Sequence, residues 1–270
     1  MDIAYCSIDG RAYTALEFQD LPPPDLDVKR RQLACVKCGN QAFFRKKSAA
    51  GQTACFGARP HAPHCNMGAA DHLRVEAAIG PDEQISDNTD IMVIDLNFGA
   101  APGEIHLDPH GPPAGNARGG SHRLPGGPRN ARAHRRLSTL LKHLRTSPHF
   151  RNSEQAIEIN GEAGGTIRSF FSEFSTLQHH QFDQMGGYWG MISDAAEGDD
   201  TTWLNSGGRG DISIGIAGNV RQAFMQRFGV DELEDLAGAY VLVIGKPRTS
   251  QYGKKFLIVD DIGLVTASLA

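Results

Sequence analysis

The sequence predicts an α+β protein in three parts: a small cysteine-ligated N-terminal module, a flexible basic linker and a C-terminal five-stranded β-barrel. Three observations predict it. Four of the five cysteines (Cys35, Cys38, Cys55, Cys65) fall within 31 residues. Eleven of the 23 residues from Pro109 to Ala131 are glycine or proline. From Gly187 onward, short apolar runs follow in the order strand, strand, strand, helix, strand, strand. The expected boundaries are 1–108 for the module, 109–131 for the linker and 132–270 for the barrel domain.

Composition narrows the class before any motif is read. With 40% hydrophobic and 21% charged residues, a chain of 270 can build a real core. Thirty-one acids against 27 bases give −4, which excludes a uniformly basic protein and an acidic disordered one. No apolar run approaches the roughly 20 residues a membrane-spanning helix needs. The start, Met1-Asp2-Ile3-Ala4-Tyr5, lacks the basic flank and apolar stretch of an export signal. The expectation is a soluble cytoplasmic protein with no membrane partner. There the thiols stay reduced, so clustered cysteines read as metal ligands rather than disulfides.

In the N-terminal part, Cys35-Val-Lys-Cys38 places two thiolates on one side of a tight turn. The run Cys55-Phe-Gly-Ala-Arg-Pro-His61-Ala-Pro-His64-Cys65 supplies further donors. Zinc takes four such ligands at the corners of a tetrahedron, closed to water when its role is structural. The expected cofactor is therefore Zn2+ on Cys35, Cys38, His61 and Cys65, with Cys55 the alternative to His61. His64 adjoins Cys65 and is poorly placed to complete the same tetrahedron. A thioredoxin-like redox pair would need an apolar strand before Cys35, and Val28-Lys-Arg-Arg-Gln-Leu-Ala34 is too basic for one.

Residues 33–65, with this turn, the Phe43-Phe44 pair, a glycine turn at Gly51 and the His-Cys ending, resemble the zinc-binding modules of competence protein CoiA-like sequences. The resemblance implies a module placed ahead of a nuclease-like or DNA-handling domain, often a metal-dependent nuclease of the PD-(D/E)xK type. Glu76, Asp90 and Asp95 are carboxylates that could hold Mg2+ around a strand at Ile91–Leu96. However, Asp95-Leu96-Asn97 lacks the lysine that pattern requires.

The linker passes into a basic segment, with nine Arg or Lys and no acid between Gly111 and Arg151. Within it Leu137, Leu140, Leu141 and Leu144 recur at the spacing of one helix face. Arg135 and Arg136 lie on the basic back, where phosphate contact is the functional alternative to a solvated surface.

The C-terminal order of elements is that of an OB-fold, whose helix lies between the third and fourth strands. The strands read Tyr188–Ile192, Thr201–Leu204, Asp211–Ile216, Ala239–Ile244 and Lys254–Val259. Asn219 is the expected cap of the intervening helix, and Asp231-x-x-Glu234 is a second helix start. Leu242-Val-Ile-Gly-Lys-Pro and Tyr252-Gly-Lys-Lys-Phe-Leu-Ile-Val259 resemble OB modules of single-strand-binding proteins. The connection Lys246–Lys255 reads KPRTSQYGKK, with four bases and no acid. Lys246, Arg248, Lys254 and Lys255 are the candidate cations for a strand backbone, and Tyr252, Trp203 and Tyr188 the candidate stacking platforms. Trp189 and Phe256 are expected in the core. The acidic turn 194–200 opposes phosphate unless it points away or meets a protein partner.

No phosphate-cradling loop, nucleophile elbow or H-E-x-x-H occurs. The function expected is therefore a non-enzymatic nucleic-acid-binding protein, acting on single-stranded DNA in replication, repair, recombination or defence. The alternatives are a nuclease using Glu76, Asp90 and Asp95, and a protein-binding adaptor.

Overall fold

The structure is a computed structural model. It describes residues 1, 3–47, 54–58, 61, 62, 65, 67, 91–94, 96, 132–207 and 210–269. The expected linker at 109–131, Gly51, and the carboxylates Glu76, Asp90 and Asp95 lie outside these residues.

The N-terminal part is an antiparallel sheet with two short helices. In chain order it holds β1 (Ile3–Cys6), β2 (Arg11–Thr14), α1 (Ala15–Gln19), α2 (Pro23–Lys29), β3 (Leu33–Ala34), β4 (Gln41–Arg45) and β5 (Cys55–Ala58). The sheet order is β2-β1-β3-β4-β5. Period-two alternation sends Ala4 and Cys6 inward and leaves Ile3 and Tyr5 on the outer side. Thr14 and Glu17 form a reciprocal capping box that starts α1. Its Phe18 then meets Phe44 and Phe56 edge-on at 4.9 and 5.4 Å, the centre of this small core.

A second sheet is built from β6 (Ile91–Ile94), β7 (Arg132–Arg135), β8 (Ala156–Ile159) and β9 (Glu162–Thr166), in the order β7-β6-β8-β9. Here β6 runs parallel to both β7 and β8. The β8–β9 hairpin turns on Asn160-Gly161, with φ of 51° and 83°. Two successive positive φ values are what a tight primed turn demands and what Asn-Gly tolerates. Between β7 and β8 run α3 (Leu137–Thr146) and the single turn α4 (Pro148–Arg151). Leu137, Leu140, Leu141 and Leu144 of α3 are all buried, as their spacing predicts.

The remaining elements are α5 (Ile167–Phe170), β10 (Phe171–Glu173), β11 (Gly186–Met191), β12 (Asp194–Glu197), β13 (Thr201–Asn205), β14 (Ser213–Ala217), α6 (Gly218–Phe228), β15 (Tyr240–Gly245), β16 (Arg248–Thr249), β17 (Lys255–Val259) and β18 (Val265–Ser268). They form two sheets, β10-β11-β15-β18 and β12-β13-β14-β17-β16. The chain crosses from one to the other at Ile192-Ser193 and again at Lys246-Pro247. Tyr188, Val241, Val243 and Val265 from the first sheet face Leu204, Ile214, Ile216, Leu257 and Val259 from the second across one core, plugged by Phe224 of α6. On the other side of β15, Tyr240, Leu242 and Ile244 pack with Trp189 against the leucines of α3. Burial on both faces is why this strand reads as an unbroken apolar run.

Several expectations need correction. The protein is a mixed α+β chain of sheets with few helices, and among the described residues no ring of ladders closes into a barrel. The first and fourth expected strands lie in one sheet as β11 and β15. The chain then enters the other sheet as β12 and β16, inside the segments expected to be the acidic turn and the basic connection. β10 and β18 occupy the edges of the first sheet. The acidic turn begins as strand β12, paired with β13. Asn219 does not cap α6: Ala217 holds that position without a side-chain bond, and the Asn219 amide donates to the Asp260 carbonyl instead. The second helix start is a short 3₁₀ turn, Leu233–Leu236, capped by Glu232 and Asp235.

The N-terminal sheet packs on the C-terminal part through side chains. Phe43 enters the core that α3 shares with β11 and β15. It covers Gly238, where φ is +82° and a Cβ would lie 2.3 Å from the ring. Only glycine meets both demands. Arg45 donates to the Ala237 carbonyl through Nε and Nη2, and Arg30 Nη2 lies 2.7 Å from Glu234 Oε1.

Candidate metal centre and binding face

The ligand atoms of Cys35, Cys38, His61 and Cys65 all lie within 4.8 Å of one another. Local backbone bonds set up the first pair. The Gly39 N–H donates to the Cys35 carbonyl at 2.9 Å, the Cys35 N–H to the Asn40 carbonyl at 2.8 Å, and Gly39 takes φ of 70°. The Cys65 N–H donates to the Ala62 carbonyl at 2.9 Å. The Cys35 and Cys65 sulfurs are 3.8 Å apart, and Cys38 Sγ lies 3.6 Å from His61 Nδ1. Zinc bonds of about 2.3 Å to sulfur and 2.0–2.1 Å to nitrogen give tetrahedral edges of about 3.8 Å for S···S and about 3.6 Å for S···N. The donor set fits that metal and could hold it.

Cys55 does not join the cluster. It lies on β5, where Phe56 and Ala58 point into the core and the alternating Cys55 points out to solvent. Among the thiols, burial pushes Cys38 up, but backbone hydrogen bonds at Ala62 and Asn40, with His61 and Cys35 beside it, outweigh burial and bring it down to about 6. Burial pushes the Cys65 thiol up, and the neighbouring Cys35 and Cys38 sulfurs add to the effect. A cation bound here would meet one lowered thiol in Cys38 and would have to displace the proton of Cys65.

The second region is the outer face of β12, β13, β14 and β17. Directly paired residues project to the same side, so the registers define two cross-strand rows. One row is Asp194, Asn205, Ser213, Phe256 and Arg248; the next is Ala196, Trp203, Gly215 and Ile258. The Asp194 end of the first row is buried under the N-terminal module. Arg31 Nε and Nη2 grip the two Asp194 carboxylate oxygens at 2.9 and 3.1 Å. Asn205 Nδ2 donates to Asp194 at 3.1 Å, and Ser213 Oγ donates to Asn205 Oδ1 at 2.7 Å. Nearby, Gln41 Nε2 donates to the Ser206 carbonyl at 2.7 Å. A cleft of about 280 Å³ runs along this joint, with Arg31, Gln41, Ser206 and Asp211 among its walls.

The second row is partly exposed, with Gly215 buried within it. Trp203 is half-buried and meets Phe256 edge-on at 6.2 Å. Its ring passes over Gly215, where a Cβ would lie 3.0 Å from Cζ3. Ile258 is exposed, as are Lys246 and Arg248, while Lys255 is half-buried. Tyr252 is 88% exposed in the β16–β17 connection.

The other expected residues are placed differently. Tyr188 offers no stacking surface: it is 2% exposed, and its hydroxyl lies 3.2 Å from both the Gln181 and Gln184 carbonyls. Its phenol is pushed up to about 12 by burial. Lys254 donates from Nζ to the Asp211 carbonyl at 3.0 Å, beside the docked module, and burial, with Arg31 beside it, lowers its ammonium. Arg135 ends β7 and Arg136 precedes α3, a helix that packs on β15 and β18 rather than on the open face. On that helix Arg145 sits 4.1 Å from the Tyr240 ring and donates to Ser268 Oγ. The acidic segment is partly neutralised within the chain, Asp194 by Arg31 and Glu197 by Arg221. Sequence reading passed over Arg31, Gln41 and the outward side of Phe256. No local signal marks them, because each acts through a distant strand.

Fold and site together describe an α+β protein, mostly of sheets, with a Cys3His cluster that could hold a metal ion. Among the described residues no helix is long and apolar enough to cross a membrane. No protein-family model matches the chain, and no curated protein does. Among solved structures, the Stn1-Ten1 complex of S. pombe aligns at 13% identity and a TM-score of 0.24, over 31% of this chain and 57% of that one. A putative aspartyl-tRNA synthetase from Leishmania major Friedlin aligns at 13% identity and a TM-score of 0.27, over 36% of this chain and 20% of that one. The chain thus spans less than two thirds of either. Likeness this slight carries no argument about fold or function.

Proposed function

We propose that the protein is a non-catalytic nucleic-acid-binding protein that takes single strands on the Trp203 face of an OB-like two-sheet body and carries a structural Zn2+ on Cys35, Cys38, His61 and Cys65. The OB-like reading rests on the pairings. Counting β11 with β12 as strand one and β15 with β16 as strand four, the antiparallel pairs are one–two, two–three, four–five and one–four. Strands three and five (β14 and β17) are parallel, and α6 lies between three and four. Taken in pairing order the strands run 1-2-3-5-4, which supports an OB-like reading although they are laid out as two sheets. In OB-folds the strand two–three face takes oligonucleotides.

The observation that carries the function is Trp203 on that face. It has Phe256 and Ile258 beside it, exposed Arg248 in the row of Phe256, and Lys246, Tyr252 and Lys255 around the adjoining connection. Aromatic faces bordered by cations are what sequence-tolerant single-strand binding requires, each stacked base contributing about 1–3 kcal/mol. The four zinc ligands fill the tetrahedron, which suits a structural site rather than a catalytic one. The test is fluorescence anisotropy with a labelled dT oligonucleotide at two salt concentrations, with and without Mg2+. Salt-dependent binding without cleavage is expected. Cleavage would instead support the nuclease, and no binding of DNA or RNA strands would leave an adaptor.

A further inference from the structure

The metal cluster and the proposed binding face belong to different sheets, yet two polar contacts tie them together, and both flank the first ligand pair. Arg31 stands four residues before Cys35, and Gln41 three residues after Cys38. Arg31 reaches Asp194, whose side chain is 4% exposed, and Gln41 reaches Ser206 just beyond β13. Asp194 in turn holds Asn205, and Asn205 holds Ser213, so the Arg31 grip continues across β12, β13 and β14. The next row outward on these strands is Ala196, Trp203 and Gly215.

We propose that metal at Cys35, Cys38, His61 and Cys65 controls the order of the Trp203 face, with Arg31 and Asp194 as the positioning pair that carries the effect. The proposal rests on the reading of that face as the single-strand site. Metal holds the Cys35–Cys38 turn, and the turn holds the spacing between Arg31 and Gln41. When metal leaves, the turn opens, Arg31 is drawn away from Asp194, and a buried carboxylate keeps only neutral partners. β12 and β13 then loosen, and Trp203 loses its fixed position. The N-terminal module is in this view one wall of the binding site and its metal-dependent clamp. Zinc availability would set the affinity for single strands.

The test uses the full chain and reads the face without a nucleic acid. Amide hydrogen exchange is followed over Asp194–Glu197 and Thr201–Asn205 before and after stripping with a zinc chelator, with β15 as the internal reference. Trp203 emission is recorded in a Trp189→Phe background. On stripping, exchange in β12 and β13 should rise at least tenfold with β15 unchanged, and emission should shift to the red. The metal-loaded Arg31→Ala/Asp194→Asn variant should already exchange fast, and stripping should then add less than twofold.

Unchanged exchange in β12 and β13, while Leu33–Arg45 lose protection, would overturn the proposal. Equal loss in β15 would also overturn it, since the response would be global unfolding. So would a chain that takes up no metal. A dT oligonucleotide is then added to separate the two readings. Binding that weakens at least fivefold on stripping supports both. The exchange response without any strand binding keeps the clamp and removes the single-strand site. Binding insensitive to metal, with exchange unchanged, keeps the site and removes the clamp.

Discussion

The N-terminal module and the C-terminal two-sheet body are held together by different physics. The body packs aliphatic side chains from two facing sheets around Leu204, Ile214, Val241, Val243 and Leu257, with Phe224 of α6 closing one end. The module has only a small core around Phe18, Phe44 and Phe56, and it adds four ligand atoms and a set of arginines that reach into the body. A core of aliphatic strands sustains itself by burial. A core this small needs a staple, and its docking contacts share the work. The difference teaches that a small core leans on its cysteine cluster and its neighbour, while the aliphatic core of the body is built from its own strands.

The largest effect that would break this contrast is loss of the metal. A structural zinc contributes about 10–16 kcal/mol to small domains at pH 7. The purified chain should hold one zinc, and Cys38→Ser should abolish stoichiometric binding by elemental analysis and unprotect Leu33–Arg45. In the body the corresponding blow is Phe224→Ala, which should cost about 3–5 kcal/mol in a denaturant titration. It should leave zinc content unchanged. Loss of zinc in that variant would mean that the two cores form a single cooperative unit.

Smaller effects sharpen the contrast on the binding face. Trp203→Ala should weaken dT binding by about 1–3 kcal/mol with little change in salt dependence, because stacking releases no counterions. Tyr188→Phe should leave binding unchanged, since this ring is buried inside the body. Lys246→Ala with Arg248→Ala should flatten the salt slope by about 1.4, at about 0.7 per phosphate contact on a single strand.

The smallest effect is on pH. The Cys38 thiol, held down to about 6, needs no proton displaced when metal binds at neutral pH. Cys65, pushed up, always does. A lowered pKa keeps its contribution above that value and loses it as pH falls through it, so apparent zinc affinity should fall more steeply with acid below about pH 6 than above it. A competition titration with a chromophoric chelator from pH 5 to 8 checks the break.

Much of this was legible in the residues themselves. The leucine spacing of α3 named its buried face, and the four ligands that converge are the preferred set, with Cys55 excluded only once β5 turned it outward. Five strands and the helix of 187–259 were readable because strands and turns are written in neighbouring residues, but β12 and β16 form inside segments that read as a turn and a connection. Which side of each strand is covered was not. Tyr188 and Trp203 look alike as aromatics in short strands, yet one is inside and one outside. Asp194, read as part of a repelling turn, is the anchor of a docked module.

The sequence by itself determined which donors could serve a metal, the period of α3 and of the long strands, and the polarity of the β16–β17 connection, since each depends on residues within a few positions. The tertiary structure decided how the strands of 187–259 divide between two sheets, which aromatic remains partly exposed, and where the cysteine-bearing module sits. Those outcomes depend on pairs such as Arg31 and Asp194, 163 residues apart. Their meeting is set by the packing of whole sheets and by the penalty of burying an unpaired charge, neither of which a local pattern contains.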